Sequence, residues 1–382
     1  MLTLYKFELR KIISRKIVWI TGGVLLVGLV IWGIASAVLP QNREYSDSSL
    51  NGYAANRAEQ EAAEQNSGRA IDQKLIDEMR PAYEDFIFNG NYKEALPYLD
   101  VYNFIGRTLG TQAGAEILVC DSEAFYEKLN AQLEANTPAG LTESISFDEP
   151  IVYHGYFDGW RQIADMMKLI TCMEIMFIAI CLSTVFTVEH TRKTDQVILC
   201  TRLGKKKLYA AKTLAGLTVG VGFTLLLSLL MFGIIAFLYG FDGYDTILQF
   251  VLLRPFNLTV GQAALILVGL SFAGAALISI FTMMLSEVTK NSIATIGIIT
   301  GVLLVTMFIM EMPANLKLLS EIWYLLPSNL VSLNGAFRYS MFHVGGSPLA
   351  AYQYAPIVYL VLAVIFALIG KLTYNRYQIN GR

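Results

Sequence analysis

Residues 213–240, TLAGLTVGVGFTLLLSLLMFGIIAFLYG, contain no charged side chain. A helix of about 20 apolar residues is long enough to cross the roughly 30 Å hydrocarbon core of a bilayer. This stretch therefore predicts a transmembrane helix. Across the whole chain 54% of the residues are hydrophobic and only 16% are charged, whereas soluble domains have about a quarter of their residues charged. The sequence predicts an integral membrane protein.

Besides 213–240, five further apolar stretches have a comparable length. They lie at 17–39, 166–188, 258–286, 291–311 and 355–373. We therefore predict an all-α polytopic membrane protein with about six transmembrane helices, the last five of them within 166–382. The segment 312–354 is apolar but is interrupted by Pro313, Pro327 and Gly345-Gly346. This pattern favours broken helices that are surrounded by protein rather than by lipid.

The first sixteen residues have the periodicity of an amphipathic helix, with five basic side chains and one acid. One apolar stripe contains Leu2, Tyr5, Leu9, Ile12 and Ile13. Such a helix suits the headgroup layer of a membrane, and the alternative is that 1–16 is simply the flank of the first transmembrane helix. Ala35-Ser36-Ala37 fits a signal-peptide cleavage site, but the apolar stretch 17–39 is longer than a usual signal core. We therefore predict a membrane anchor.

Residues 40–165 hold 22 Asp and Glu against 9 Lys and Arg, a net charge of −13. About 125 residues are enough to build a hydrophobic core, and the composition predicts a mainly helical domain. One helix is predicted over 54–80, ending before Pro81, and another from Asp121-Ser122 to just before Thr137-Pro138. Cys120 is the only cysteine of this region, so the domain cannot close an internal disulfide.

The basic residues predict the orientation of the chain. The segments 1–16, 189–212, 287–290 and 371–382 together hold 16 Lys and Arg but only 4 Asp and Glu. Short loops that are rich in Lys and Arg remain in the cytosol. We therefore predict cytosolic N- and C-termini and an extracytoplasmic acidic domain between the first and second transmembrane helices.

Motifs of enzyme active sites are absent from the sequence. It contains no GxxxxGK[ST] phosphate loop, no HExxH and no GxSxG. The four cysteines form no CxxC pair, and His154, His190 and His343 are far apart in the chain, so a histidine metal site is not expected. We predict a non-catalytic chain that binds no cofactor, metal or nucleic acid.

Two features within the predicted transmembrane helices are polar or small. Glu174 is the one acid well inside such a helix, where a carboxylate costs about 3 kcal/mol unless it faces protein or water. It is either a cavity or proton-relay residue, or a carboxyl bonded to a neighbouring helix. Two GxxxG pairs, Gly216/Gly220 and Gly297/Gly301, predict close packing between helices, most simply within the chain.

The predicted cytosolic loop 189–212, EHTRKTDQVILCTRLGKKKLYAAK, is basic but has an apolar centre. Val197, Ile198 and Leu199 interrupt seven basic residues. A solvated loop that contacts anionic lipid accounts for the charge, but it has no need of the apolar centre. The apolar residues favour a protein partner, with Ile198 and Leu199 filling a groove on it.

The order of these features resembles the permease subunit of bacterial type 2 ATP-binding-cassette (ABC) exporters. The resemblance consists of a basic amphipathic helix before the first span, Glu189 after the second, the string ILCTRLGK at 198–205, and Lys212 at the start of the third. It covers 1–40 and 166–382 but not the acidic domain. In that family the loop forms a coupling helix that docks on a separate ATPase. The resemblance implies this role for Glu189, Arg192, Leu199, Thr201, Arg202, Gly204 and Lys212.

The resemblance implies further expectations. The short loop 286–291, which contains Glu287, occupies the place of the family's second coupling element, and Leu326-Pro327 resembles its broken outer helices. ATP and Mg²⁺ would bind to the partner ATPase, and two permeases would pair with two ATPases among the lipids of the bacterial cytoplasmic membrane. The expected function is export of an unidentified substrate, which could be a peptide, a drug or a lipid-like molecule.

Two other functions remain as alternatives. A proton-coupled secondary transporter would use Glu174 as its coupling group, but such transporters are built from inverted repeats, and the sequence shows none. An envelope sensor or assembly protein would instead use the acidic domain to bind a ligand or a partner.

Overall fold

The computed structural model describes residues 1–39, 52–110, 117, 119–137, 145–191, 207–309, 312, 316–338, 341–344 and 347–376. Most of these residues are helical. In chain order the helices are α1 (Leu2–Ile13), α2 (Lys16–Val38), α3 (Gly52–Glu64), α4 (Gln73–Asn89), α5 (Tyr92–Ala95), α6 (Leu99–Leu109), α7 (Ser122–Ala135), α8 (Asp158–Leu182), α9 (Thr184–Thr191), α10 (Lys207–Leu238), α11 (Val260–Thr289), α12 (Ser292–Phe308), α13 (Lys317–Tyr324), α14 (Pro327–Leu330), α15 (Leu333–Ala336) and α16 (Ala351–Arg376).

Five helical stretches among the described residues are long and apolar enough to cross a bilayer: α2, the continuous α8–α9, α10, α11 and α16. Each coincides with a predicted transmembrane helix. The remaining prediction, at 291–311, corresponds to α12, which has 17 residues. At 1.5 Å per residue α12 is about 26 Å long, short of the roughly 30 Å core. The chain is a multi-pass helical membrane protein with five candidate spans, and the predicted count of six stays a prediction.

Helix α11 lies at the centre of the membrane part, where it packs against α8, α10 and α16. The GxxxG pair of α10 makes its contact with α11 close. A Cβ added at Gly216 or Gly220 would overlap a side chain of α11, whereas a Cβ at Gly297 or Gly301 would meet no atom of the described residues within 4 Å. The prediction of close packing within the chain is therefore confirmed for the first pair, and for the second pair it stays a prediction.

Helix α1 lies along α10. Ile12 is buried in this contact, and the Tyr5 hydroxyl is 2.9 Å from the Thr218 hydroxyl. Leu2 and Ile13 of the predicted apolar stripe are exposed. Glu8, which lies outside this stripe, is also buried and has an ionic partner in Lys11.

The acidic domain contains α3 to α7, and its first part differs from the prediction. The helix predicted over 54–80 is two helices, α3 and α4, and α4 continues through Pro81 to Asn89. The break occurs because Asp72 starts a new helix: its carboxylate accepts a hydrogen bond from the Leu75 N–H (2.9 Å). Pro81 removes one hydrogen bond from the interior of α4, while burial of residues on either side of it keeps the helix packed.

The second predicted helix of the domain is confirmed. Helix α7 runs from Ser122 to Ala135, and the Asp121 carboxylate caps it by accepting from the Ala124 N–H (2.8 Å). The domain core is aromatic. Tyr83 and Tyr102 stack with ring centroids 3.6 Å apart, and Phe104 meets Phe125 edge to face at 5.4 Å.

The acidic domain is braced against the connection between α10 and α11. Gln60 donates a hydrogen bond to Asp242 (2.6 Å), and the Trp160 indole donates to the Phe241 carbonyl (2.9 Å). The Phe104 ring also stacks on Phe250 at 4.3 Å between centroids. The domain and the membrane part therefore share one continuous set of contacts.

The segment 312–354 contains three short helices, α13 to α15, followed by a two-stranded antiparallel sheet of β1 (Met341–Val344) and β2 (Ser347–Ala350). The hairpin was not predicted. Side chains donate additional hydrogen bonds to carbonyls of the broken helices: the Tyr359 hydroxyl to the Leu325 carbonyl (2.7 Å) and the Asn329 amide to the Trp323 carbonyl (3.0 Å). Such compensation is what irregular backbone needs beside a membrane.

Candidate functional site

Six acidic, basic or histidine side chains meet where α1, the end of α9, the start of α10 and the end of α11 come together. We call this cluster the charged junction, and its members are Glu8, Lys11, Glu189, His190, Lys212 and Glu287. All six belong to segments that the charge distribution predicts to be cytosolic.

Glu189 is the centre of the charged junction. Its Oε1 accepts a hydrogen bond from Lys11 Nζ (2.7 Å), and its Oε2 forms an ion pair with Lys212. Lys212 is fully buried, and its ammonium lies 5.0 Å from the centroid of the Phe186 ring. A buried ammonium needs a counter-charge, and an aromatic face adds to its stabilisation. The pair joins the two ends of the segment 192–206.

Helix α1 is attached to the junction by charge as well as by packing. Lys11 lies 3.7 Å from Glu8, one turn earlier on the same helix, and Glu8 is buried. Residues three apart on a helix face each other, so Glu8 directs Lys11 toward Glu189. The amphipathic helix, the end of α9 and the start of α10 are therefore held as one unit.

A second contact ties α9 to the end of α11. His190 Nε2 lies 3.3 Å from the Glu287 carboxylate, and Glu287 is fully buried. Beside it the Ser286 hydroxyl donates a hydrogen bond to the carbonyl of Ser183 (2.6 Å), the residue between α8 and α9. The short loop after α11 is thus fixed to the same helix that carries Glu189.

This loop turns sharply between α11 and α12. Lys290 ends α11 in the left-handed conformation (φ 53°), which residues other than Gly and Asn rarely adopt. Asn291 then caps α12 by accepting from the Ile293 N–H (3.0 Å). The reversal needs only two residues, so Glu287 and the first turn of α12 stay close together.

The structure describes only part of the predicted ATPase-coupling set. Glu189 and Glu287 lie in the charged junction, where their carboxylates face other residues of the same chain. The other six lie outside the described residues, and their coupling role stays a prediction: Arg192, Ile198, Leu199, Thr201, Arg202 and Gly204. Sequence reasoning missed Glu8 and Lys11, although Glu8 is the single acid of a basic amphipathic segment.

Glu174 lies at the middle of the 34-residue stretch α8–α9 and is fully buried. Its Oε2 accepts hydrogen bonds from the hydroxyls of Thr224 on α10 and Ser271 on α11, each at 2.9 Å. Its Oε1 accepts none from the described residues and faces Gly274. The carboxyl joins three helices, which favours the interpretation of a carboxyl bonded to neighbouring helices.

An apolar cavity of about 440 Å³ lies between α11, α12, α16 and the broken segment. Among the described residues, its polar side chains are those of Ser328 and Tyr359, and both hydroxyls donate hydrogen bonds, to Thr306 and to the Leu325 carbonyl. A ligand in this cavity would therefore make mainly apolar contacts, because the hydroxyl protons of these two residues are already donated within the protein.

The acidic domain has a polar pocket of about 280 Å³ beside the start of α8, lined by Glu59, Asp100, Asp158 and Arg161. The Tyr153 hydroxyl donates to Asp100 Oδ2 (2.6 Å). Burial, and then the nearby charge of Asp158, raise the pKa of Asp100 to about 7. Three carboxyl groups and one guanidinium therefore line this pocket.

Comparison with known proteins places these features in a family. A family model described as ABC-2 family transporter protein matches residues 2–369. The match includes the acidic domain, which the resemblance noted from the sequence did not cover. No curated protein and no solved structure matches the chain. Since the matched region is nearly the whole chain, and the structure supplies apolar helices long enough to cross a membrane, the chain belongs to the ABC-2 family of transporters as a membrane permease component.

Proposed function

We propose that this chain is the transmembrane subunit of an ATP-driven exporter in the bacterial cytoplasmic membrane. A separate cytosolic ATPase, which holds ATP and Mg²⁺, docks on the loop between α9 and α10. The observation that carries the proposal is the charged junction, in a chain of the ABC-2 family. Both ends of the loop are fixed to each other and to α1 by Glu189, which pairs with Lys11 and Lys212.

The junction supports a mechanical role for the loop. A buried ion pair with additional contacts resists separation, because removing one partner leaves a charge unpaired in an apolar surrounding. A displacement of the loop by the ATPase therefore moves α9 and α10 together. Helix α9 is continuous with α8, which carries Glu174. The hydrogen bonds of Glu174 to Thr224 on α10 and Ser271 on α11 pass the motion to α11. Two such chains would pair, each with one ATPase.

The apolar cavity favours an apolar cargo among peptides, drugs and lipid-like molecules. It borders α12 and the broken segment, and its lining is almost entirely aliphatic and aromatic. Apolar contact with few polar groups is typical of sites for hydrophobic ligands. Lipid-like molecules should therefore stimulate ATP hydrolysis by the reconstituted complex more than basic peptides of similar size do.

The coupling loop is tested by Leu199→Asp, with Lys206→Ala as the matched control in the same loop. An apolar anchor buried at an interface commonly contributes above about 1 kcal/mol to binding, whereas charges at the rim contribute less. Leu199→Asp should therefore reduce copurification of the ATPase and substrate-stimulated ATP hydrolysis together, while membrane insertion is unchanged. Lys206→Ala should have little effect on either.

If Leu199→Asp retains wild-type association and transport, the ATPase does not dock through this loop. A proton-coupled transporter that uses Glu174 then becomes the better reading, because its carboxyl lies at mid-membrane with one oxygen that accepts no hydrogen bond from the described residues. In that case Glu174→Gln should abolish transport that a pH gradient drives.

A further inference from the structure

A second pocket, of about 290 Å³, lies next to the acidic pocket at the boundary between the acidic domain and the membrane part. Four parts of the chain line it: the end of α6, the first half of α8, the connection between α10 and α11, and the start of α15. Its charged lining consists of Arg107, Arg161, Lys168 and Asp165. Three cations in one pocket stand out beside a domain with a net charge of −13.

Two of the three cations have no carboxylate partner within the described parts of the chain. Arg161 lies between Asp158 (3.4 Å) and Asp165 (3.9 Å) and is compensated by them. Arg107 uses one guanidinium nitrogen to donate to the Phe250 carbonyl and forms no ion pair. Lys168 likewise forms none.

Arg107 lies near the positive charge of Arg161 and the negative charge of Asp100. The pKa of its guanidinium is lowered, first by burial and then by the positive charge of Arg161, with a smaller opposing effect of Asp100. A further anion near Arg107 would relieve this repulsion, because an opposite charge within about 4–6 Å stabilises the charged form.

Lys168 places the pocket at the surface of the membrane. It lies ten residues after the first residue of α8, and the 23 residues from there to Thr191 cover about 34 Å. Since that length matches the roughly 30 Å hydrocarbon core, Lys168 is at the boundary on the side of the acidic domain. Val251, Leu252 and Leu333 add apolar surface to the same pocket.

We propose that this pocket binds a phosphate group at the membrane surface, held between Arg107 and Lys168. The planar guanidinium of Arg107 offers paired N–H donors to two phosphate oxygens, and the ammonium of Lys168 acts as a point charge. The exposed amide of Asn334, which forms no hydrogen bond within the described chain, donates to a third oxygen. The apolar lining contacts the ester substituents. A phospholipid headgroup and a soluble phosphate ester share this chemistry.

The test uses the full chain, purified in detergent and stripped of lipid. Binding of phosphatidylglycerol, and of diacylglycerol as the probe without phosphate, is measured by native mass spectrometry. We expect phosphatidylglycerol to bind and diacylglycerol not to. Arg107→Gln/Lys168→Gln should weaken phosphatidylglycerol binding roughly tenfold or more, the scale expected when hydrogen bonds to a charged group are lost. The control Lys74→Gln/Lys93→Gln removes two exposed charges of the same domain and should bind like wild type.

A gain of binding provides a second, independent readout. Asp165→Asn removes the acid that faces the same pocket, so it should tighten phosphatidylglycerol binding by several-fold. Competition by glycerol phosphate at millimolar concentration would assign the site to soluble esters, and its absence would assign it to lipid. The proposal is overturned if diacylglycerol binds as well as phosphatidylglycerol. It is equally overturned if neither the double variant nor Asp165→Asn differs from the control while all fold with wild-type melting temperatures.

Discussion

The ammonium of Lys212 is fully buried, and its ion pair with Glu189 compensates the buried charge. Glu189 in turn lies between two lysines, since Lys11 contacts its other oxygen at 2.7 Å. With Glu8 close to Lys11, the four residues Glu8, Lys11, Glu189 and Lys212 carry two positive and two negative charges and are neutral as a group. Neutrality explains how several ionised side chains can remain buried at the end of an apolar bundle.

This arrangement predicts strongly non-additive effects of mutation. Glu189→Gln alone should reduce the free energy of unfolding by about 3–5 kcal/mol, since it leaves the buried Lys212 ammonium without its carboxylate. Lys212→Met alone should cost less, since Glu189 keeps its ion pair with Lys11. Lys212→Met/Glu189→Gln should cost clearly less than the sum of the two, because both charges are gone. Thermal unfolding of the detergent-solubilised protein measures all three.

Lys6→Met is the matched control, because Lys6 is exposed on α1 and should change stability by less than about 0.5 kcal/mol. Additive losses in the double variant would show that Glu189 and Lys212 do not depend on each other.

The sequence indicated Glu189 and Lys212 separately, as the two ends of a basic loop, but not their arrangement. The Lys11 contact joins residues 178 positions apart, and periodicity carries no information over such distances. Lys11 also reads as an ordinary basic residue of an interfacial helix. Only packing of α1 against α10 shows that this lysine is part of an internal ion-pair network.

At the level of elements, hydrophobic length predicted the five long helices because crossing a bilayer leaves few alternatives. Local rules were weaker where two signals competed. At 65–72 the capping signal of Asp72 ended a composition that reads as continuous helix, and at Pro81 tertiary packing outweighed the proline. The hairpin of β1 and β2 was missed because Gly345-Gly346 was interpreted as a helix break, whereas a Gly-Gly pair between short strands is also a turn signal.

The two GxxxG pairs offer a test of helix packing with its own control. Gly220→Val should lower stability by about 1–3 kcal/mol, because an added side chain would overlap Ser279 on α11 and force the helices apart. Gly297→Val carries the same chemical change on α12, where a Cβ meets no atom of the described residues within 4 Å. We expect it to be neutral for the single chain in thermal unfolding.

Two other results would contradict these expectations. A loss of stability in Gly297→Val that appears only in the purified oligomer would mean that this face of α12 contacts a second copy. A neutral Gly220→Val would contradict the close approach of α10 and α11.

On the scale of the whole molecule, the continuous helical stretch α8–α9 connects the acidic pocket with the charged junction. It begins at Asp158 beside the acidic pocket, contains Glu174 at its middle, and ends with Glu189 and His190 in the charged junction. Its 34 residues span about 51 Å. The acidic domain contacts the connection between α10 and α11, so the movement of α10 that we propose would also reach the domain.

The proposed function requires the acidic domain and the charged junction to lie on opposite sides of the membrane. Cys120, the natural thiol of the domain, is buried, so a failure to label it would say nothing about sidedness. Lys93→Cys instead places a thiol on the exposed surface of the domain. We expect it to react with a membrane-impermeant maleimide in intact cells or spheroplasts. The background replaces the natural thiols Cys120, Cys172, Cys181 and Cys200 with Ala.

Lys6→Cys, on the exposed face of α1, is the matched variant for the other side and should react only after permeabilisation. The reason is the same charge asymmetry, since 1–16 and 189–212 are among the segments that share 16 basic and 4 acidic residues. Labelling of Lys6→Cys in intact cells would place the charged junction outside. The loop 189–212 would then be out of reach of a cytosolic ATPase, and the coupling role proposed for Leu199 would fail with it.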